Sequence, residues 1–176
     1  MNNEVNHPIT QALTTVVRGI CSKPDDLEVI ERETGNFLEV EYFPSMDDIR
    51  VLIGKGWRQK NALTTVAAAM GRRMDTTTEF TISDSDRGEK RDPKPVKRTL
   101  TKERLIEVVR PVINLALGDV VWKVEDLRDR YAVEIFTPEN DAPVVIAVGD
   151  LMFAWARAQG GRVEVKFRLA KNGVLK

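Results

Sequence analysis

A short segment with the sequence VLIGKGWRQKNAL (residues 51–63) combines residue types that can bind an anion. Gly54, Lys55 and Gly56 lie between an apolar run and a pattern typical of a helix. Unpaired backbone N–H groups and the positive end of a helix dipole at such a junction attract phosphate, and glycine lets a sugar-phosphate chain come close. The same residues also fit an ordinary helix-terminating turn. Their spacing alone leaves both interpretations open.

The local charge favours the phosphate interpretation. The whole chain is neutral, with 27 basic and 27 acidic residues. Six basic residues and no acid nevertheless lie between Arg50 and Arg73, whereas residues 25–48 hold nine acids and a single base, Arg32. This separation predicts that a polyanion would bind at the loop and be repelled by the other face.

The elements that would position the loop follow the order α-β-β-α-α-β. A helix is predicted from Pro8 to Ile20, and a hairpin turns at residues 34–36. A short helix begins after Ser45, an alanine-rich helix covers residues 58–73, and TTTEFTI is typical of a strand. The loop would therefore lie between the second and third helices.

Residues 84–98 predict a charged linker, because they contain two prolines and only one strongly apolar side chain, Val96. The chain is therefore predicted to consist of a unit at residues 1–83, the linker, and a second unit at residues 99–176.

The pattern restarts after the linker at an offset of 93 residues. Leu13 maps onto Ile106, and VEYF at residues 40–43 maps onto VEIF at residues 133–136. This repetition indicates an internal duplication. The match then fails: residues 144–148 are predicted to form a strand, and the second copy has no glycine-lysine loop. Activity that depends on the loop is expected in the first unit.

The first unit resembles the type II KH domain, and especially the small stand-alone KH RNA-binding proteins of bacteria. CSKPDDLEV matches the turn after their first helix, and LIGKGWRQKNAL nearly matches their I-G-x-x-G loop. Trp57 replaces the final glycine. The fold class is thus predicted to be α+β, with a type II KH-like unit followed by a degenerate second copy.

The resemblance implies a binding site for single-stranded nucleic acid. The loop from Gly54 to Trp57 would hold the backbone, and a groove near Val51, Leu52 and Ile53 would accommodate about four nucleotides. The remaining residues expected to contact phosphates or base edges are Arg58, Lys60 and Asn61. Trp57 would either stack on a base or fold back onto the core and block the groove.

The predicted function is binding of single-stranded RNA, with single-stranded DNA as a second ligand class. The alternative is a protein-protein interaction module on an eroded fold, with VVIAVGD and RVEVKF of the second half supplying an edge or a patch for a protein partner. One histidine and one cysteine, Cys21, make a zinc site or a Cys-His dyad unexpected. No enzyme activity, cofactor or metal is predicted.

The expected location is the cytoplasm, with no membrane association. The N-terminal residues lack a basic-then-apolar signal pattern, and no apolar run approaches the ~20 residues of a spanning helix. Trp122 and Trp155 are expected in the core, since both lie among apolar residues.

Overall fold

The computed structural model of the chain describes residues 5–83 and 99–169. The predicted linker at 84–98 lies outside the described residues. The first half confirms the predicted order of elements, including the helix at residues 58–73. Its helices and strands are α1 (Pro8–Ile20), β1 (Glu28–Thr34), β2 (Phe37–Phe43), α2 (Met46–Ile53), α3 (Arg58–Arg73) and β3 (Thr77–Ile82).

The second half has a helix, a hairpin, a helix and a strand. These elements are α4 (Lys102–Leu117), β4 (Val121–Leu127), β5 (Arg130–Thr137), α5 (Ala142–Ala158) and β6 (Val163–Leu169). Each half has a three-stranded sheet, ordered β1-β2-β3 and β4-β5-β6, with an antiparallel first pair and a parallel second pair. The α+β class and the duplication are confirmed.

The predicted strand at residues 144–148 is wrong, because these residues belong to α5. Their β-branched side chains favour a strand locally, but burial recurs along the segment with a helical period. Val144, Val148, Leu151 and Trp155 are all buried at spacings of three or four residues. Packing of this face against the rest of the core overrides the local propensity.

The 93-residue repeat cannot be followed beyond residue 136, because the offset between corresponding positions of the two units changes there. Leu38 pairs with Thr78 in the first sheet, and Tyr131 pairs with Val163 in the second. Tyr131 follows Leu38 by 93 residues, whereas Val163 follows Thr78 by only 85. The difference of eight residues equals the length of α2. The second unit therefore has no counterpart of α2, and the positions of the glycine loop correspond to residues 139–142, which contain no glycine.

The helices of the two units pack against each other, and each sheet covers its own helices from outside. The buried apolar residues of both units form one continuous core. Trp155 of α5 lies directly on Gly19 of α1, where a Cβ atom would overlap the indole ring. Gln159 Nε2 donates a hydrogen bond to the carbonyl oxygen of Gly19 at 2.8 Å. The predicted core position of Trp155 is confirmed, whereas Trp122 is only partly buried.

No helix within residues 5–83 and 99–169 is both long and apolar enough to cross a membrane. The same residues contain no cluster of three His, Cys, Asp or Glu side chains that could hold a metal ion.

Candidate nucleic-acid interface

The backbone of the loop requires glycine at its first position. The N–H of Gly54 donates to the carbonyl oxygen of Arg50 at 3.0 Å and ends α2. Gly54 has φ 73° and ψ 168°, a conformation that essentially only glycine adopts, and a Cβ atom there would overlap the side chain of Gln59. Gly56 is also left-handed, with φ 62° and ψ 32°, but faces open space. The two glycines thus turn the chain sharply from α2 into α3.

Trp57 lies on the surface and not in the core. Its side chain is 54% exposed, although its backbone has φ 65° and ψ 16°, a left-handed conformation that is uncommon outside glycine. Lys60 Nζ lies 4.9 Å from the centroid of the indole ring, within the range of a cation-π interaction. The loop therefore presents an aromatic face with a positive charge beside it.

The structure brings the eight predicted site residues together on one segment, but they differ in exposure. Lys55, Gly56, Trp57, Arg58 and Asn61 are exposed, whereas Ile53, Gly54 and Lys60 are partly buried.

The expected groove near residues 51–53 needs one correction. Leu52 is completely buried, so it belongs to the core and cannot line a surface groove. Val51 is 47% exposed, and Ile53 is partly buried. Of the three residues of the expected groove, Val51 and Ile53 are therefore the ones with accessible apolar surface.

The N-terminus of α3 is open. Trp57 occupies the N-cap position, and within the described residues no side chain accepts a hydrogen bond from the first turn there. The first turn carries no acid, while Arg58 and Lys60 add positive charge. The helix dipole and the two cations favour an anion at this point, while the N–H of Arg58 itself donates to the carbonyl oxygen of Lys55.

Asp48 fixes α2, and therefore the loop, relative to α1. Its carboxylate is buried and accepts hydrogen bonds from the N–H groups of Ser22 at 2.7 Å and Lys23 at 3.1 Å. It also accepts one from the hydroxyl of Ser45 at 3.0 Å. This carboxylate ties the segment that follows α1 to the start of α2, which is a structural role.

The outer face of the first sheet is acidic. Glu39, Glu41 and Glu79 lie on it, and Arg32 neutralises part of this charge through contacts of 2.9 Å to Glu39 and 3.6 Å to Glu41. The hydrogen bond to Glu39 is the main cause that raises the pKa of Arg32. The sheet face opposite the helices is thus unfavourable for a polyanion, as the charge pattern predicts.

Asp150 of the second unit forms an ion pair with Arg58 that the sequence did not predict. Arg58 Nη2 lies 2.5 Å from Asp150 Oδ1, and the side chains are 66% and 17% exposed, respectively. This hydrogen bond, and then the charge of Asp150, raise the pKa of Arg58. The two residues are 92 positions apart, and Asp150 follows a segment that resembled a strand, so no local pattern signals the contact.

A cleft of about 470 Å³ lies beside this ion pair, between α3 and α5. One wall comes from the first unit, through Lys55, Gly56 and one face of α3, and the other from residues 143–150 of the second unit. A volume of this size is within the usual range for a small-ligand site.

The corresponding position of the second unit has no phosphate-binding chemistry. A short 3-10 turn at Glu139–Asp141 leads into α5, and Pro143 occupies the first turn of that helix without an N–H group. The offset of 85 residues places Pro143 where the first unit has Arg58. The two units therefore differ most at the position of the loop.

An α-β-β-α-α-β unit with a basic glycine loop between its second and third helices is a type II KH domain. No protein-family model matches the chain. Over 67 residues it is 40% identical to the RNA-binding protein KhpA of Streptomyces coelicolor, a match that spans 37% of this chain and 82% of that protein. It is 39% identical over 67 residues to RNA-binding protein KhpA of Mycobacterium tuberculosis, with 37% and 81% covered, and 39% identical over 70 residues to that of Leifsonia xyli, with 38% and 90% covered. The chain belongs to the KhpA family, and the match falls on its first part.

Proposed function

We propose that this protein binds single-stranded RNA through the loop from Gly54 to Trp57 and the first turns of α3. The observation that carries the proposal is the exposed, basic glycine loop at an uncapped helix N-terminus, in a chain whose relatives are named RNA-binding proteins. The acidic outer face of the first sheet leaves the helical side as the favourable side for RNA.

Each residue has a role that its position supports. Lys55 and the N–H of Gly56 bind a backbone phosphate, and Trp57 stacks on a base. Lys60 adds charge beside the ring, and Asn61 offers an amide to a base edge. Val51 and Ile53 provide apolar contact for a neighbouring nucleotide. Single-stranded DNA has the same phosphates and similar bases, so it is a second ligand class. It should bind more weakly than RNA if 2′-hydroxyl groups add contacts.

The first unit carries this function, because the second unit has no counterpart of the glycine loop within residues 99–169. The names of the relatives describe RNA binding and no reaction. We accordingly propose a non-catalytic protein that acts in the cytoplasm.

The test replaces the phosphate site while preserving the fold. The Lys55→Asp/Gly56→Asp double variant places two negative charges where the phosphate would bind, and binding of a mixed-sequence single-stranded RNA should be lost. The matched control is Lys166→Asp/Gly35→Asp, because Gly35 also has φ 62° and open space around its Cβ position. Both doubles should lower the free energy of unfolding by about 1–2 kcal/mol, from the left-handed backbone.

Fluorescence anisotropy at several salt concentrations measures the binding. Three to five phosphate contacts give a slope of about −2 to −3.5 in the plot of log affinity against log salt. An affinity that does not depend on salt, or equal loss of binding in both double variants, would contradict the proposal.

A second candidate function is binding of a protein partner through the second unit. Residues 163–167 of the RVEVKF segment belong to β6, an edge strand in which Phe167 is 43% exposed, and this supports strand addition by a partner. VVIAVGD lies in α5 and cannot supply a strand edge, whereas Ile146 of this segment is 53% exposed and is available to a surface patch. A Phe167→Arg variant that retains full RNA affinity but no longer co-purifies with a defined partner would favour this second function.

A further inference from the structure

The contact between Arg58 and Asp150 breaks the internal symmetry of the molecule. At the offset of 85 residues, Arg58 corresponds to Pro143 and Thr65 corresponds to Asp150. The pair of positions that the internal symmetry relates to the ion pair is therefore Thr65 and Pro143. Neither residue is charged, and both line the same cleft. The ion pair is thus not a general feature of the packing between α3 and α5, and it occurs on the side that has the glycine loop.

The ion pair also changes the charge that the cleft presents to RNA. Of the described residues that line it, three are charged: Lys55, Arg58 and Asp150. Their sum is +1, and it would be +2 without Asp150. The Asp150 side chain is only 17% exposed, so its carboxylate depends on the Arg58 guanidinium as its counter-ion. A phosphate that draws Arg58 away would leave this carboxylate unpaired.

We propose that Asp150 of the second unit occupies the place of an RNA phosphate on Arg58, and that it thereby sets the affinity of the loop site. This inference rests on the proposed function. The second unit then restrains the binding site of the first. A carboxylate and a phosphate oxygen both accept hydrogen bonds from a guanidinium, so Asp150 takes the Nη2 donor of Arg58 and offsets the positive charge that a phosphate would otherwise meet.

The test compares full-length variants with the same mixed-sequence single-stranded RNA. Asp150→Asn keeps the shape of the side chain and removes its charge, and it should tighten binding about three- to five-fold at low salt. One additional phosphate contact makes the log-log salt slope more negative by about 0.7, so the gain should shrink about 2.6-fold between 50 and 200 mM salt. Asp126→Asn is the matched control, since it removes one charge from an exposed position on β4 of the same unit.

Arg58→Ala completes the double-mutant cycle. In the wild-type background it should weaken binding about three- to five-fold, because it leaves the Asp150 carboxylate without its counter-ion and lowers the charge of the cleft from +1 to 0. In the Asp150→Asn background it should return the affinity to about the wild-type value. Asp150→Ser serves as a second neutral variant, and thermal melting verifies that each variant is folded.

The two proposals fail in different ways. If wild-type protein and all variants fail to bind RNA, both the function and this inference are overturned. If wild-type protein binds but the neutral Asp150 variants bind equally or more weakly, or match Asp126→Asn, only the inference is overturned. A gain that persists in the Arg58→Ala/Asp150→Asn double variant would likewise overturn it, because the effect would not act through Arg58.

Discussion

The side chain of Trp57 is expected to contribute to RNA binding and little to stability. Trp57→Gly restores glycine at a left-handed position with φ 65°, which removes a backbone cost of roughly 1–2 kcal/mol. It also increases the freedom of the unfolded chain, at a cost of about 0.4–1 kcal/mol, and it removes the contacts of a side chain that is already 54% exposed. These effects oppose each other, so the free energy of unfolding should change by less than about 1 kcal/mol.

The loss of RNA affinity should be larger. Stacking of one base on an aromatic side chain contributes about 1–3 kcal/mol, so Trp57→Gly should weaken binding about 5- to 150-fold. Fluorescence anisotropy with single-stranded RNA and thermal melting should be performed on the same preparations. Phe37→Ala is the control, because Phe37 is a 37% exposed aromatic residue on the outer face of the first sheet and should leave affinity unchanged.

Two results would refute this reasoning in different ways. An unchanged affinity would show that the indole does not touch RNA. An increased affinity with a lower melting temperature would show that Trp57 blocks the groove and packs against the protein, which is the other interpretation of this residue and conflicts with its exposure.

The packing between the units gives two further predictions. Gly19→Ala should lower the free energy of unfolding by about 1–3 kcal/mol in chemical denaturation, because the new methyl group overlaps the indole of Trp155; a change below about 0.5 kcal/mol would contradict this packing. A fragment of residues 1–83 should self-associate, because it exposes the apolar faces of α1 and α3 that α5 covers in the full chain. In a dimer, α3 of a second copy can take the position of α5. Light scattering that shows a stable monomer at micromolar concentration would contradict this prediction.

The sequence predicted the secondary structure correctly wherever tertiary packing preserves the structure that the local pattern favours. The hairpin turns at Gly35, which has φ 62°, and α3 covers the predicted residues 58–73. The groove prediction failed at Leu52 because consecutive residues of a helix point about 100° apart. Of the three adjacent apolar side chains at residues 51–53, only Leu52 therefore points fully into the core.

The second unit was harder to predict, for two physical reasons. A deletion of eight residues shifts every later position, so a single offset compares α3 with the wrong segment. In addition, the ion pair of Asp150 depends on how two helices far apart in sequence cross each other, which no periodicity encodes. Fold and loop were therefore accessible from local patterns, whereas the second wall of the cleft was not.

The two copies of the last helix show which positions the shared core constrains. At the offset of 85 residues, Leu63 corresponds to Val148, Val66 to Leu151 and Met70 to Trp155, and all six side chains are buried and apolar. Close packing limits what these positions accept, because a polar side chain there would be buried without a partner.

Exposed positions on the same two helices have no such limit. Arg58 and Asn61 on α3 correspond to Pro143 and Ile146 on α5. A basic and a polar side chain in the first copy are thus replaced by two apolar side chains in the second. Surface substitutions of this kind usually change stability by less than about 0.5 kcal/mol, so the second unit could lose α2 and the loop while it still completes the core. The second copy therefore retains the half of the core that α1 and α3 need, and it adds a largely apolar wall beside the loop that carries one carboxylate, Asp150.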